Sequence, residues 1–212
     1  MKFCFKFCRG VAASLLAAVS LQAVAEGDAA AGQAKSAICA ACHGADGNSM
    51  VPQWPKLAGQ HQDYLVRQAN LIKAGARPVP EMTAIVATTS EQDLADISAW
   101  FASQQMSGGI AEQSQVPEGE RLWRAGKAAN GTPACMACHG PAGEGNPLAG
   151  YPRLAGQHAT YTANLLKRFR AGENWGGKDA SSHVMNGVAA ELTDEEITAL
   201  TSYMEGLYLT VD

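Results

Sequence analysis

Apolar residues recur at helical spacing in two stretches of this 212-residue chain that resemble one another. Leu94, Ile97 and Phe101 follow the pair Ser90 and Asp93; Ile197, Leu200 and Met204 follow the pair Thr193 and Glu196. A hydroxyl residue three positions before an acid, just ahead of such a run, marks a helix N-terminus. Middle helices are predicted over about 63–74 and 160–171, each stopped by a glycine, Gly75 and Gly172. First helices are predicted over about 29–37 and 118–126. No stretch alternates apolar and polar residues strongly enough to read as a strand, so the chain is expected to be all-α.

The pattern occurs twice because the chain is duplicated. Cys39, Cys42, His43 and Gly44 match Cys135, Cys138, His139 and Gly140 at an offset of 96, and WPKLAGQHQDY matches YPRLAGQHATY at 97. Met82 and the residues after it match Met185 onward at 103. Small steps in offset are small loop insertions, and a period near 100 is too long for a solenoid, so the two copies read as tandem domains. They are placed at residues 26–102 and 118–212. The Gly-, Ser- and Gln-rich stretch SQQMSGGIAEQSQVPEGE between them supplies a linker at 103–117. Gly32 and Gly119 lie in the first helices, and Trp100 and Tyr203 are twins in the last ones; each aromatic is predicted to pack over the corresponding glycine.

Residues 1–25 read as an export signal rather than as fold. Lys2, Lys6 and Arg9 precede the apolar run VAASLLAAVSL, and Ala23-Val24-Ala25 is a small-x-small site, with cleavage expected after Ala25. An uncleaved anchor is the alternative. Removing the segment leaves 13 basic against 20 acidic residues, a net charge of −7. That balance argues against nucleic acid and suits partners with positive surface.

Cleavage also removes Cys4 and Cys8, so the remaining cysteines are those of CAACH and CMACH. Pooled as one Cys4 zinc site they would give each repeat only half a site. A thioredoxin-like redox pair needs a βαβ context that is absent. Cys-x-x-Cys-His is the attachment signature of c-type haem: Cys39 and Cys42, then Cys135 and Cys138, bond two porphyrins, and His43 and His139 reach the irons. Two covalently bound haem c groups follow. Their apolar plates would fill domains in which aromatics are only 7% of the chain. For the opposite face of each iron, Met82 and Met185 are chosen, because they are repeat twins, each eight residues before a capped last helix. His61 and His158, also twins, are rivals, but lie only 18 and 19 residues past the proximal histidines and read better as helix-entry residues. His183, two residues before Met185, has no twin and is read as a loop residue that competes for the second iron. Carbonyls at Pro55 and Pro152 are placed to accept the Nδ1–H of the two proximal histidines.

With these residues in place, each half resembles a class I cytochrome c domain, and the chain resembles the dihaem cytochrome c4 family over about residues 27–209. The resemblance rests on CAACHGADGNS, PKLAGQ, EMTAIV, CMACHGPAGEGN, PRLAGQHATYT and MNGVAAEL. It implies two His/Met haems and two helical domains packed with near two-fold pseudosymmetry. It also implies a periplasmic carrier, not an enzyme, that takes electrons from a cytochrome bc complex to a terminal oxidase, with no small-molecule substrate. Peripheral attachment to the inner membrane stays open. So do two other functions: a haem subunit docked to a dehydrogenase, and a dihaem peroxidase, which would need a releasable ligand. The basic residues Arg121, Arg124 and Lys127, and Lys167, Arg168 and Arg170, raise the further expectation that the two ends meet different partners.

Overall fold

Why the two halves fold alike is visible in their helix ends. The computed structural model describes residues 26–176 and 180–209. The expected export segment, with its cleavage point, lies outside the described residues. Among the described residues ten α-helices form two matching sets. The first is α1 (Ala29–Lys35), α2 (Ala37–His43), α3 (Gln62–Lys73), α4 (Pro80–Thr88) and α5 (Glu91–Ala102). The second is α6 (Val116–Ala125), α7 (Met136–His139), α8 (Ala159–Arg170), α9 (Ala180–Ala189) and α10 (Asp194–Gly206). The described residues contain no strand, only two isolated bridges, so the fold is all-α. None of these helices is long and apolar enough to cross a membrane.

The two caps differ in the reach of their acid, Asp93 being one methylene shorter than Glu196. Thr193 and Glu196 form a reciprocal capping box, with the Glu196 N–H donating to Thr193 Oγ1 at 3.2 Å and the Thr193 N–H to Glu196 Oε2 at 2.8 Å. At α5 only half of the box forms: the Asp93 N–H donates to Ser90 Oγ at 3.1 Å. The shorter Asp93 carboxylate takes the Ser90 hydroxyl at 2.7 Å instead of the backbone N–H. Gly75 and Gly172 follow α3 and α8 at φ 71° and 85°, a conformation costly for any residue with a Cβ.

In each half the first helix crosses the last at a glycine. A Cβ on Gly119 would lie 2.5 Å from Tyr203 Cβ and still closer to the Ala199 carbonyl, so the predicted Gly119–Tyr203 pairing holds. Gly32 faces the backbone of Asp96 and Ile97, so it is main chain that comes closest there, and the Trp100 indole donates to the Ala45 carbonyl at 3.4 Å. The crossing in both halves is set by the missing side chain; the aromatic is secondary.

One expectation is corrected. The segments bearing Met82 and Met185 are helices, α4 and α9, and His183 therefore lies on an exposed helix face instead of a loop. α9 holds Ser181, Ser182, Asn186 and Gly187, weak helix formers, and α4 is a nine-residue helix with β-branched Thr83, Ile85, Val86 and Thr88, so both give little local signal. The stretch between the halves is no free tether. Asn48 Nδ2 donates to the Gln105 carbonyl and Asn48 Oδ1 accepts from the Ser107 N–H at 2.7 Å. The Gly109 N–H then reaches the Glu205 carbonyl at 3.1 Å and the Glu112 N–H reaches Ser202 Oγ at 2.8 Å. Met106 is buried along this strap.

An ion cluster clips α1 to α5. Asp96 accepts from Lys35 Nζ at 2.7 Å, the Asp28 N–H at 3.0 Å and Gln92 Nε2 at 2.8 Å. These bonds, Lys35 first, hold its pKa down to about 2 from an ordinary 3.8. Asp93 and Asp96 push Lys35 up to about 12. A depressed carboxylate contributes stability that is complete above its unfolded pKa and disappears as pH falls through the folded one. The Asp96 contribution is therefore lost between pH 3.8 and about 2, while that of Lys35 is lost only above 10.5, as pH rises through about 12. Thermal midpoints across this acid window should flatten in Asp96→Asn; an unchanged slope would show that the clip contributes nothing.

Candidate haem sites

Each Cys-x-x-Cys-His sits on a helical turn, so the two cysteines and the histidine, spaced i, i+3, i+4, share one face. In α2 these are Cys39, Cys42 and His43; α7 is capped by Cys135 and carries Cys138 and His139. All four thiols are free of disulfides. Burial pushes the Cys39 thiol up and takes Cys135 to about 11. These are neutral thiols in apolar walls, unlike the depressed thiols of redox pairs. Among the described residues no three His, Cys, Asp or Glu side chains gather as a metal cluster, so the two cysteine pairs do not pool into one site.

The proximal histidines are fixed as the proline positions led us to expect. His43 Nδ1 lies 2.8 Å from the Pro55 carbonyl and His139 Nδ1 lies 2.9 Å from the Pro152 carbonyl. A carbonyl only accepts, so Nδ1 carries the proton and Nε2 is left with its lone pair. Burial lowers both pKa values, which keeps the rings neutral and competent as ligands.

The two methionines face apolar packing. Met82 contacts the cluster of Ile72, Val86 and Leu94, and Met185 packs on the core around Phe169, Trp175 and Leu192. His183 is exposed. Two positions apart on a helix, His183 and Met185 point to different faces.

The rival histidines belong to the seam between halves. His61 and His158 are the N-cap residues of α3 and α8. His158 Nε2 lies 2.8 Å from the Ser49 carbonyl of the other half, with Glu205 Oε1 3.5 Å from Nδ1. The His61 ring lies against Gly145, the residue at the matching position of the second half.

The sequence reading assigned no role to the neighbouring glutamines, which build this seam. Gln157 Oε1 accepts from the Lys56 N–H at 2.9 Å and its Nε2 donates to the Lys56 carbonyl at 2.8 Å. Gln60 does the same to Arg153, the twin of Lys56, at 2.9 and 3.0 Å. The exchange is reciprocal, as a pseudo-two-fold axis demands. Lys56 Nζ reaches the Ser107 and Gly156 carbonyls at 2.7 and 3.0 Å, buried enough that desolvation lowers its pKa. The identity of LAGQH in both halves was the available signal; a glutamine carries no titration or ligand chemistry to draw the eye.

Three buried donors make no hydrogen bond among the described residues: Arg67 Nε, Arg153 Nε and Trp175 Nε1. Each can only donate. A haem c brings two propionate carboxylates, which only accept, so this donor set fits the group the cysteines call for.

The known proteins agree. The cytochrome c family profile matches residues 29–105 and 119–207. The chain is 52% identical over 197 residues to "Cytochrome c4" of Pseudomonas aeruginosa, covering 92% of this chain and 97% of that one. The crystal structure of reduced recombinant cytochrome c4 from Pseudomonas stutzeri superposes with a TM-score of 0.82 at 49% identity, covering 86% of this chain and all of that one. A "Thiosulfate dehydrogenase electron acceptor" of Stutzerimonas stutzeri is 34% identical over 78% of this chain and 76% of its own. Duplicated attachment motifs, buried neutral histidines and a shared two-domain fold lead to one conclusion: the chain belongs to the cytochrome c4 family, an electron carrier with two covalently bound haem c groups that works with redox protein partners.

Proposed function

We propose that Met82 and Met185 complete the two irons opposite His43 and His139, and that the protein carries electrons in the periplasm from a cytochrome bc complex to a terminal oxidase. The observation that supports this most is the matched pair of sites: one histidine held by a proline carbonyl and one inward methionine in each half. Bound haem supplies a reversible one-electron couple, and Met/His ligation raises its potential. The chain's own residues do the rest. The Pro55 and Pro152 carbonyls hold the ring orientation, the apolar clusters keep water from the thioethers, and the Gln60 and Gln157 bridges fix the distance between halves. An export signal and a mature charge of −7 support the location and a partner with basic surface.

The named basic residues of the second half are ion-paired with neighbouring carboxylates. Arg121 pairs with Glu118, Arg124 with Glu120, Lys127 with Glu196, Arg168 with Glu173, and Lys167 and Arg170 with Asp194. These basic residues are ion-paired, so end-specific docking is not part of this proposal.

A second reading, delivery from a dehydrogenase, is favoured by the likeness to the thiosulfate dehydrogenase electron acceptor. Stopped-flow mixing separates the two. Reduced holoprotein should be oxidised quickly by a solubilised haem-copper oxidase, at a rate that falls as salt screens the encounter over about 10 Å at 0.1 M. Reduction by a thiosulfate-fed dehydrogenase, with no turnover by the oxidase, would move the protein to the second reading.

A further inference from the structure

The repeat is broken ahead of the methionine helix of the second half. Between Gly172 and Met185 the offset steps from 97 to 103, so the second half carries six extra residues just before its methionine helix. Trp175 lies in that insertion and is buried. Its ring meets Phe169 edge-on at 5.0 Å on its own half. The guanidinium of Arg77, from the first half, lies over the Trp175 ring at 4.8 Å.

Arg77 is buried and held from both halves. Its Nη1 donates to Gln68 Oε1 of α3 at 2.8 Å and its Nη2 to the Tyr161 hydroxyl of α8 at 2.9 Å. Its own N–H is tied to the Leu71 carbonyl at 3.0 Å. The planar fork fits two acceptors and a ring face at once, which an ammonium cannot do. The repeat twin of Arg77 is Asn174, so no equivalent clamp runs the other way.

The contact continues into the methionine helix. The Trp175 N–H donates to Ser182 Oγ at 3.0 Å. Ser182 is buried on α9, three residues before Met185 and so on the same helix face. Asn186 Nδ2 ties the same helix to the Phe169 and Glu173 carbonyls at 2.8 and 2.7 Å. A fixed cation of the first half thus presses on the segment that carries the second half's thioether.

We propose that Arg77 is a positioning residue acting across the seam: through Trp175 it sets the seat of α9, and so the reduction potential of the second haem responds to a side chain of the first half. This rests on the reading of Met185 as the second iron's ligand. It gives the six-residue insertion a function, and it makes the two sites unequal although their cysteines and histidines match.

The test uses the full-length holoprotein. Both potentials are measured by spectroelectrochemical titration in the parent, Arg77→Gln, Arg77→Lys and Tyr161→Phe, with the near-infrared methionine–iron band recorded alongside. Arg77→Gln removes a buried cation and loosens α9; both favour the oxidised iron, so the second potential should shift down by more than the first, with a weaker band. Arg77→Lys should recover part of the shift, because the charge stays while the fork is lost. Tyr161→Phe removes one acceptor and should give a smaller shift of the same sign; it serves if Arg77→Gln does not fold. A second-haem potential unmoved in the folded Arg77→Gln, or in Tyr161→Phe where the former fails, overturns the proposal. If the parent lacks the methionine band, the ligand reading fails separately, while the titration still reports on the clamp.

Discussion

On the proposed ligation, Met185→Ala should lower the potential of the second haem, and Met82→Ala that of the first, by on the order of a few tenths of a volt, within the ~0.8 V that axial ligands span. The direction follows from the ligand: a thioether favours reduced iron, and losing it favours the oxidised state. Both variants keep their haem, because Cys39, Cys42, Cys135 and Cys138 are untouched. The near-infrared methionine band should halve in each single variant and vanish in the double. At the second site water, not His183, should take the vacancy. His183 is exposed on a different face of α9, and turning it inward would mean unwinding that helix. A bis-histidine spectrum in Met185→Ala would contradict this, and an unchanged band would remove Met185 as the ligand.

Gly119→Ala should destabilise the second half strongly although it adds only one methyl. The new Cβ meets the Ala199 carbonyl and Tyr203 Cβ, a backbone atom and the root of a side chain, neither of which can swing aside. Overpacking of this kind costs about 1–3 kcal/mol, and contact with main chain places it at the upper end. For a domain of this size each kcal/mol moves the melting midpoint by about 4–8 °C. Gly32→Ala should behave alike, because its Cβ meets the Asp96 carbonyl and the Ile97 nitrogen. Gly108, with open space around it, is the control and should accept alanine with little change. Equal midpoints for Gly108→Ala and Gly119→Ala would mean that the helix crossing tolerates a side chain.

Where the sequence was readable, a strong local rule was at work. Thr193 and Glu196 announce α10 because a capping box is a contact between near neighbours, and Gly75 and Gly172 announce helix ends because of backbone sterics. The cysteines and proximal histidines are legible because covalent attachment fixes their spacing. Even the Pro55 and Pro152 carbonyls follow from that spacing. What was missed depends on partners far away in the chain. The helices α4 and α9 are short, with β-branched residues in the first and Ser, Asn and Gly in the second, so local signals do not betray them. Gln60 and Gln157 act on residues 93 and 101 positions away. The strap at 103–115 has the composition of a tether, and only the Asn48, Ser202 and Glu205 groups that grip it make it a fixed element.

The glutamine bridges have a consequence for how such a molecule is assembled. Each half carries both sides of the contact, a backbone at Lys56 or Arg153 that receives and a glutamine at 60 or 157 that gives. A surface that completes itself in this way is an isologous dimer interface, written here within one polypeptide. Two separate copies would meet only as often as their concentration allowed, and dilution would part them. Fusion through the strap replaces that bulk concentration with a local one that dilution cannot change. The two haems therefore stay partnered however scarce the protein becomes.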